Sequence, residues 1–224
     1  MEKVPPFRAL IRAIECRLFE RYCPLTPPVL DIGCGDGLFA SLAFDRPLTV
    51  GIDPDIRNLQ QALSEGSYLN LSSADATALP FRSGHYNTVI SNCVLEHIED
   101  VERALSEIVR VMSWGGTLLF GVPSHRFGEF LLGCTIARKL GQKRLSEGYG
   151  NWFNQHSIHH HTDDPTTWTQ RLARHNLTVR SWQYYMAREG HFAFDLAHYL
   201  SVPNLLSWKL TGSWTLPWNP LHRM

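Results

Sequence analysis

The residues with the clearest chemical potential are the acidic, glycine-rich run Asp31-Ile32-Gly33-Cys34-Gly35-Asp36-Gly37. Glycines let a backbone turn sharply and approach a ligand closely, and the free N–H groups of a following helix can receive a carboxylate. The spacing at 33, 35 and 37 departs from the G-x-G-x-x-G of dinucleotide sites, because Leu38 occupies the position of the third glycine. Asp31 discriminates further: a carboxylate here repels a pyrophosphate and attracts an ammonium, so a cationic ligand is favoured. Asp53, about twenty residues on, stands where a carboxylate can accept both hydroxyls of a ribose. Each acid also has a plainer use, Asp31 or Asp36 as a helix cap and Asp53 before Pro54 as a turn residue.

Histidines form the second group. His97 and His125 follow the expected fourth and fifth strands, where either suits a general base near neutral pH or a capping role. Downstream lie His156, His159, His160, His161 and Asp163. This cluster offers pocket lining or acid/base work, with His160 as the candidate, or ordinary loop histidines, or a metal site. Consecutive side chains point in different directions, so His159 to His161 cannot all converge, and no metal is assigned.

Elements to position these groups are legible. Phe7 to Tyr22 has helical apolar spacing, ended by Pro24, Pro27 and Pro28. Strands are expected at Val29–Ile32, Leu48–Ile52, Tyr68–Leu71, Tyr86–Ser91 and Thr117–Val122. Between them, helices are expected at Leu38–Phe44, Asp55–Glu65 and Val101–Met112, the last ending at Gly115-Gly116. This alternation implies a doubly wound, mostly parallel α/β sheet with helices on both faces, binding ligands beyond the carboxyl ends of its strands. Residues 125–161 read as an insertion with one helix near Glu129 to Leu140. A helix capped by Asp164 follows, running from Pro165 to about His175, and then a sixth strand from Leu177 to Met186. After Arg188 no strand is legible, although Leu205, Leu206, Trp208, Leu210, Trp214 and Trp218 make the tail unusually apolar.

Composition narrows the class. With 224 residues, one domain is expected: an N-terminal helix (1–27), a ligand-binding core (28–123), a lid-like insertion (124–163) and a C-terminal helix, strand and tail (164–224). Lys+Arg and Asp+Glu balance at 21 each, which argues against a nucleic-acid partner and for a small or lipid-like one. Five cysteines without a C-x-x-C pair point to a reducing cytoplasm. No run is long enough to span a bilayer, so membrane contact through the tail would be peripheral at most.

Five segments in order carry a family resemblance: Val29 to Gly37, Gly51-Ile52-Asp53-Pro54-Asp55, Ala74-Asp75-Ala76-Thr77-Ala78-Leu79-Pro80-Phe81, Asn92-Cys93-Val94-Leu95-Glu96-His97-Ile98, and Gly115-Gly116-Thr117-Leu118-Leu119. The chain resembles the class I S-adenosylmethionine (SAM)-dependent methyltransferases, in particular the type 11 methyltransferase family. The resemblance implies a Rossmann-like fold and SAM as cofactor, with S-adenosyl-L-homocysteine as product. It implies that Asp31, Gly33, Cys34, Gly35 and Gly37 hold the methionine end, Asp53 and Pro54 the ribose, and Asp75 and Ala76 the adenine. Asn92 would lie near the methionine or the sulfonium, with Cys93 also among the cofactor-binding residues. Related enzymes often carry a histidine before the helix that precedes the sixth strand. Ser91-Asn92-Cys93-Val94 lacks the Asn/Asp-Pro-Pro-Tyr tetrad of many amino methyltransferases, which leaves an O or C atom of a small or amphiphilic metabolite as acceptor.

The resemblance fails at the carboxyl end, where no run supplies the family's final antiparallel strand. Either the sequence stops short of it or the tail replaces it. Two other readings stay open: a SAM-binding partner or regulatory protein without catalysis, and a nicotinamide-binding reductase, which Leu38 and Asp31 disfavour. Oligomeric state is not legible.

Overall fold

A computed structural model describes residues 4–201. The chain begins with α1 (Pro6–Phe19) and a single 3-10 turn, Glu20–Tyr22. Then come β1 (Val29–Ile32), α2 (Leu38–Ala43), β2 (Leu48–Asp53), α3 (Ile56–Glu65), β3 (Tyr68–Ser73) and β4 (Tyr86–Asn92). After the 3-10 turn Leu95–His97 follow α4 (Val101–Val111), β5 (Met112–Gly121), α5 (Phe127–Phe130), α6 (Leu132–Lys139), α7 (Lys143–His156), α8 (Pro165–Arg174) and α9 (Arg188–Leu200).

The five strands form one parallel sheet in the order β3-β2-β1-β4-β5. Strand period decides which side each residue packs against. Val29 joins Phe19, Phe39, Ala40, Leu48 and Ile90 beneath α1 and α2. Its neighbour Leu30 faces the other way, into a cluster with Leu105 and Ile108 of α4 and Trp168 and Leu172 of α8. Both faces are therefore covered, as a parallel sheet requires, and each fully buried Leu or Ile contributes about 1.5–3 kcal/mol. The order reverses between β1 and β4, which opens a crevice beyond their carboxyl ends. Acidic caps start three helices: Asp55 accepts from Arg57 N, Asp100 from Arg103 N and Asp164 from Thr167 N.

Three expectations about elements need correction. Residues 177–187 lie outside the sheet as irregular chain, not as a sixth strand. Only Leu177 and Val179 pack on the core there, whereas Arg180 to Tyr184 include exposed bulky residues, too few inward anchors for a half-buried strand. The insertion holds three helices where one was expected. Gly148 and Gly150 disguise α7 in the sequence by lowering its helical signal; in the structure Gly150 faces Gly128 of α5, whereas a side chain at Gly148 would meet open space. Arg188–Leu200, where no element was expected, is α9, which packs on α1 and α6. The apolar residues from Leu205 to Trp218 lie outside the described residues. No helix among the described residues is long and apolar enough to cross a membrane.

Candidate functional site

The glycine turn joins β1 to α2 at the crevice. Gly33, Gly35 and Gly37 all have positive φ, at 71°, 55° and 80°, a region that costs other residues about 1–3 kcal/mol. At Gly33 space also forbids a side chain, since a Cβ would come within 2.3 Å of Val94 Cγ2. Asp31, 2% exposed, lies directly before the turn, and the Tyr68 hydroxyl donates to its Oδ2 at 2.6 Å. Burial pushes the Asp31 carboxyl up to about 7, against the pull of the Tyr68 hydroxyl and of Arg12. A buried carboxyl in this state gains from a cation placed beside it.

Asp53 ends β2 and holds the turn from the other side. Its Oδ2 accepts from Gly35 N at 3.0 Å, and its Oδ1 from Asp55 N at 2.9 Å and Asn58 Nδ2 at 3.1 Å. A carboxylate offers roughly four lone-pair positions. Asp53 can therefore accept one more donor, and the two hydroxyls of a ribose would require Asn58 to let go. Both sequence readings of Asp53, the turn residue and the ligand residue, fit this geometry.

A cavity of about 390 Å³ lies beyond the carboxyl ends of β1 to β4. Ile32, Gly33, Ile52 and Pro54 form one wall, Ala74 to Thr77 a second, and Val94 with His97 to Asp100 the rim opposite. The volume is within the range of small-ligand sites. Among the sequence candidates, Gly33, Pro54, Asp75, Ala76 and His97 line it, while Asp31, Cys34, Gly35, Gly37 and Asp53 shape the turn behind. Asp75 Oδ1 accepts from both Thr77 N and Thr77 Oγ1 at 2.7 Å, which holds that loop in place.

Helix α1 closes the crevice from above. Arg8 pairs with Asp36 of the glycine turn at 2.6 Å. One turn on, Arg12 pairs with Glu15, which is fully buried and also accepts from Asn92 Nδ2 at 2.8 Å and from the Cys93 thiol at 3.0 Å. Cys93 has a positive φ of 55°, uncommon for a residue with a side chain and typical of constrained sites. Burial, with Glu15 adding to it, pushes the Cys93 thiol well above its ordinary value. Tyr185, from the irregular chain before α9, neighbours Cys93 and Glu15 and is likewise driven upward, chiefly by burial. Asn92 and Cys93 thus meet α1 and Tyr185 rather than the cavity.

His97 and Glu96 occupy the turn after β4. Burial pushes Glu96 up to about 8 and lowers His97. The histidine loop docks here with His159, whose ring centroid is 5.3 Å from that of His97. His160 exposes its side chain and binds the turn only through its backbone, and His161 hydrogen-bonds Ile98 O. His125 is exposed, with Tyr184 as its ring neighbour.

Sequence reasoning missed Arg8, Arg12, Glu15, Tyr68, Glu96 and Tyr185, and within the histidine cluster it favoured His160 over His159. For Glu15 a signal exists: it falls one turn after Ile11 on the apolar stripe of α1, where a carboxylate needs partners. Tyr68 and Tyr185 carry none, because an aromatic in a strand or loop reads as packing.

Residues 30–120 match the family defined by a methyltransferase domain. An uncharacterized methyltransferase of Mycobacterium tuberculosis is 35% identical over 153 residues, covering 63% of this chain and 78% of that protein. A malonyl-[acyl-carrier protein] O-methyltransferase of Legionella pneumophila is 33% identical over 118 residues, 49% of this chain and 42% of that one. A methyltransferase of Haloferax volcanii, solved in complex with the Trm112 methyltransferase activator, shares the fold with a TM-score of 0.59 at 17% identity, covering 79% and 73% of the two chains. Its likeness to the mycobacterial protein runs through most of that protein's length, and its fold is that of the Haloferax structure, so the chain belongs to the methyltransferase family.

Proposed function

We propose that this methyltransferase uses SAM to methylate an O or C atom of a small or amphiphilic metabolite. The observation that carries the reading is Asp31, a buried carboxyl raised to about 7 beside a glycine turn that walls a 390 Å³ cavity. Its nearest electrostatic need is a cation, and the α-ammonium of SAM meets it. The turn's backbone would hold the methionine carboxylate, Asp53 one ribose hydroxyl, and Ala76 and Asp75 the adenine. SAM supplies a methyl group on a sulfonium, an excellent leaving group. This chain's work is then to hold the acceptor in line and exclude water.

An O–H acceptor must also lose its proton, and His97, half-exposed on the cavity rim and kept neutral by partial burial, is placed to take it. Residues 124–163 act as the lid on this side. The O-methyltransferase name of the Legionella relative favours oxygen over carbon.

Calorimetry on the folded chain should show micromolar binding of SAM and S-adenosyl-L-homocysteine, weakened about 100-fold by Asp31→Ala. No binding would overturn the proposal. Transfer of labelled methyl to a panel of hydroxylated and CH-acidic amphiphiles then separates an enzyme from a SAM-binding partner, which would bind the cofactor and methylate none of them.

A further inference from the structure

The turn Leu95–His97 and the histidine loop hold each other in a way that fixes which nitrogen each ring presents. The Glu96 carbonyl accepts from His160 N at 2.7 Å and His161 N at 3.2 Å. His97 Nδ1 lies 3.0 Å from Ile158 O. A carbonyl only accepts, so Nδ1 carries the proton and Nε2 the lone pair. His159 Nδ1 lies 3.2 Å from Asn154 Oδ1, which leaves its Nε2 bare in the same manner. His97 Nε2 in turn stands 3.7 Å from Glu96 Oε1.

One ligand atom from each of Glu96, His97 and His159 lies within 4.8 Å of the other two. Glu96 is 1% exposed, and its Oε2 has no hydrogen-bond partner among the described residues. A proton on Glu96 would explain one carboxylate oxygen. It would not explain two imidazoles locked in the same tautomer by a backbone carbonyl and an amide oxygen, the arrangement that orients metal-binding histidines. Two imidazoles and a carboxylate suit borderline first-row cations, whose tetrahedral ligand atoms lie about 3.4 Å apart, so the cluster needs to contract by roughly an ångström. The other histidines here are engaged or turned away: His161 binds Ile98 O and neighbours Arg171 and Asp163, and His160 faces solvent.

We propose that Glu96, His97 and His159 form a binding site for a divalent cation of the zinc class. Three protein ligands leave a coordination position open. His97 also lines the cavity, so the cation borders it and there holds an oxygen-bearing acceptor; with His97 Nε2 occupied, the cation lowers the pKa of the acceptor hydroxyl and replaces His97 as the means of deprotonation. That role for the acceptor rests on the methyl-transfer reading, whereas cation binding does not.

The test is titration of Co²⁺ alone, and of Zn²⁺ alone, into the full chain after chelator treatment, followed by calorimetry and by the visible absorption of Co²⁺. One ion per chain should bind, with a spectrum showing nitrogen and oxygen coordination. His159→Ala and Glu96→Gln should each weaken it by about 100-fold, Asn154→Ala by about 10-fold, and His160→Ala should change little. Melting curves check folding, and if a ligand variant fails to fold, Asn154→Ala against His160→Ala decides. The proposal is overturned if the folded wild type binds neither ion, or if His160→Ala costs as much as loss of a proposed ligand or its support. Absent cation binding alongside intact SAM binding would sink this inference and leave the methyl-transfer reading standing.

Discussion

Asp31 makes the cofactor-free protein sensitive to pH in a direction opposite to that of a salt-bridged carboxylate. Its folded value is raised to about 7, while an unfolded aspartate titrates near about 3.9. Below about pH 4 both states hold the proton and its contribution to stability is complete. Between about 4 and 7 the unfolded chain releases the proton first, so stability falls, and above 7 the loss is complete at about 4 kcal/mol. Asp31→Asn should therefore be about 2–4 kcal/mol more stable than wild type at pH 8 and nearly equal at pH 4, read by urea unfolding at both. An unchanged pH slope in that variant would place the effect elsewhere. The same sign governs binding: an ammonium beside Asp31 favours the carboxylate, so SAM bound at pH 6 should release close to one proton. Calorimetry in two buffers of different ionisation enthalpy measures that proton, and zero release would separate Asp31 from the ligand's charge.

Among the elements, α1 was legible as a helix, but the work of its polar residues was not. Its Arg12 and Glu15 form a buried pair tied to Asn92 and Cys93, so removing one partner strands the other. Arg12→Ala should destabilise the chain by about 3 kcal/mol in urea unfolding. Arg57→Ala, which breaks an exposed pair with Asp55, should leave stability unchanged. Equal effects would mean that burial of the α1 pair carries no weight. This contrast also marks what was legible. Strands β1, β2 and β4 and helices α3, α4 and α8 could be read because buried runs, helical periodicity and caps such as Asp55 and Asp164 are local. Helix α7 was hidden by Gly148 and Gly150, poor helix formers that packing against α5 and α6 overrides. Leu177 to Met186 looked like a strand because local pattern does not report whether a sheet edge will accept it.

At the scale of the whole molecule, the sheet and the helices that close its crevice are held by different clusters. Phe127, Leu131, Cys134 and Phe153 form a small apolar centre with Tyr149 and Phe194, apart from the two clusters on the sheet. Hydrogen exchange should show α5, α6, α7 and α9 opening while β1 and β4 stay protected, with SAM slowing exchange in α1. Exchange at one common rate would make the molecule a single cooperative unit. The cofactor turn was readable for a reason of the same kind: its residues are contiguous, whereas the groups packed around Asn92, Cys93 and His97 come from Glu15, His159 and Tyr185, far apart in the chain. That dispersal has a consequence in time. On the ribosome the sheet is complete in sequence once Gly121 has been added, but Tyr185 comes roughly sixty residues later, several seconds at about 5–20 residues per second. During that interval the Cys93 corner, where β4 meets α1, still lacks its neighbour from the chain before α9, so a stall or cut just ahead of Tyr185 should yield a folded sheet that meets its ligand but frays first at that corner.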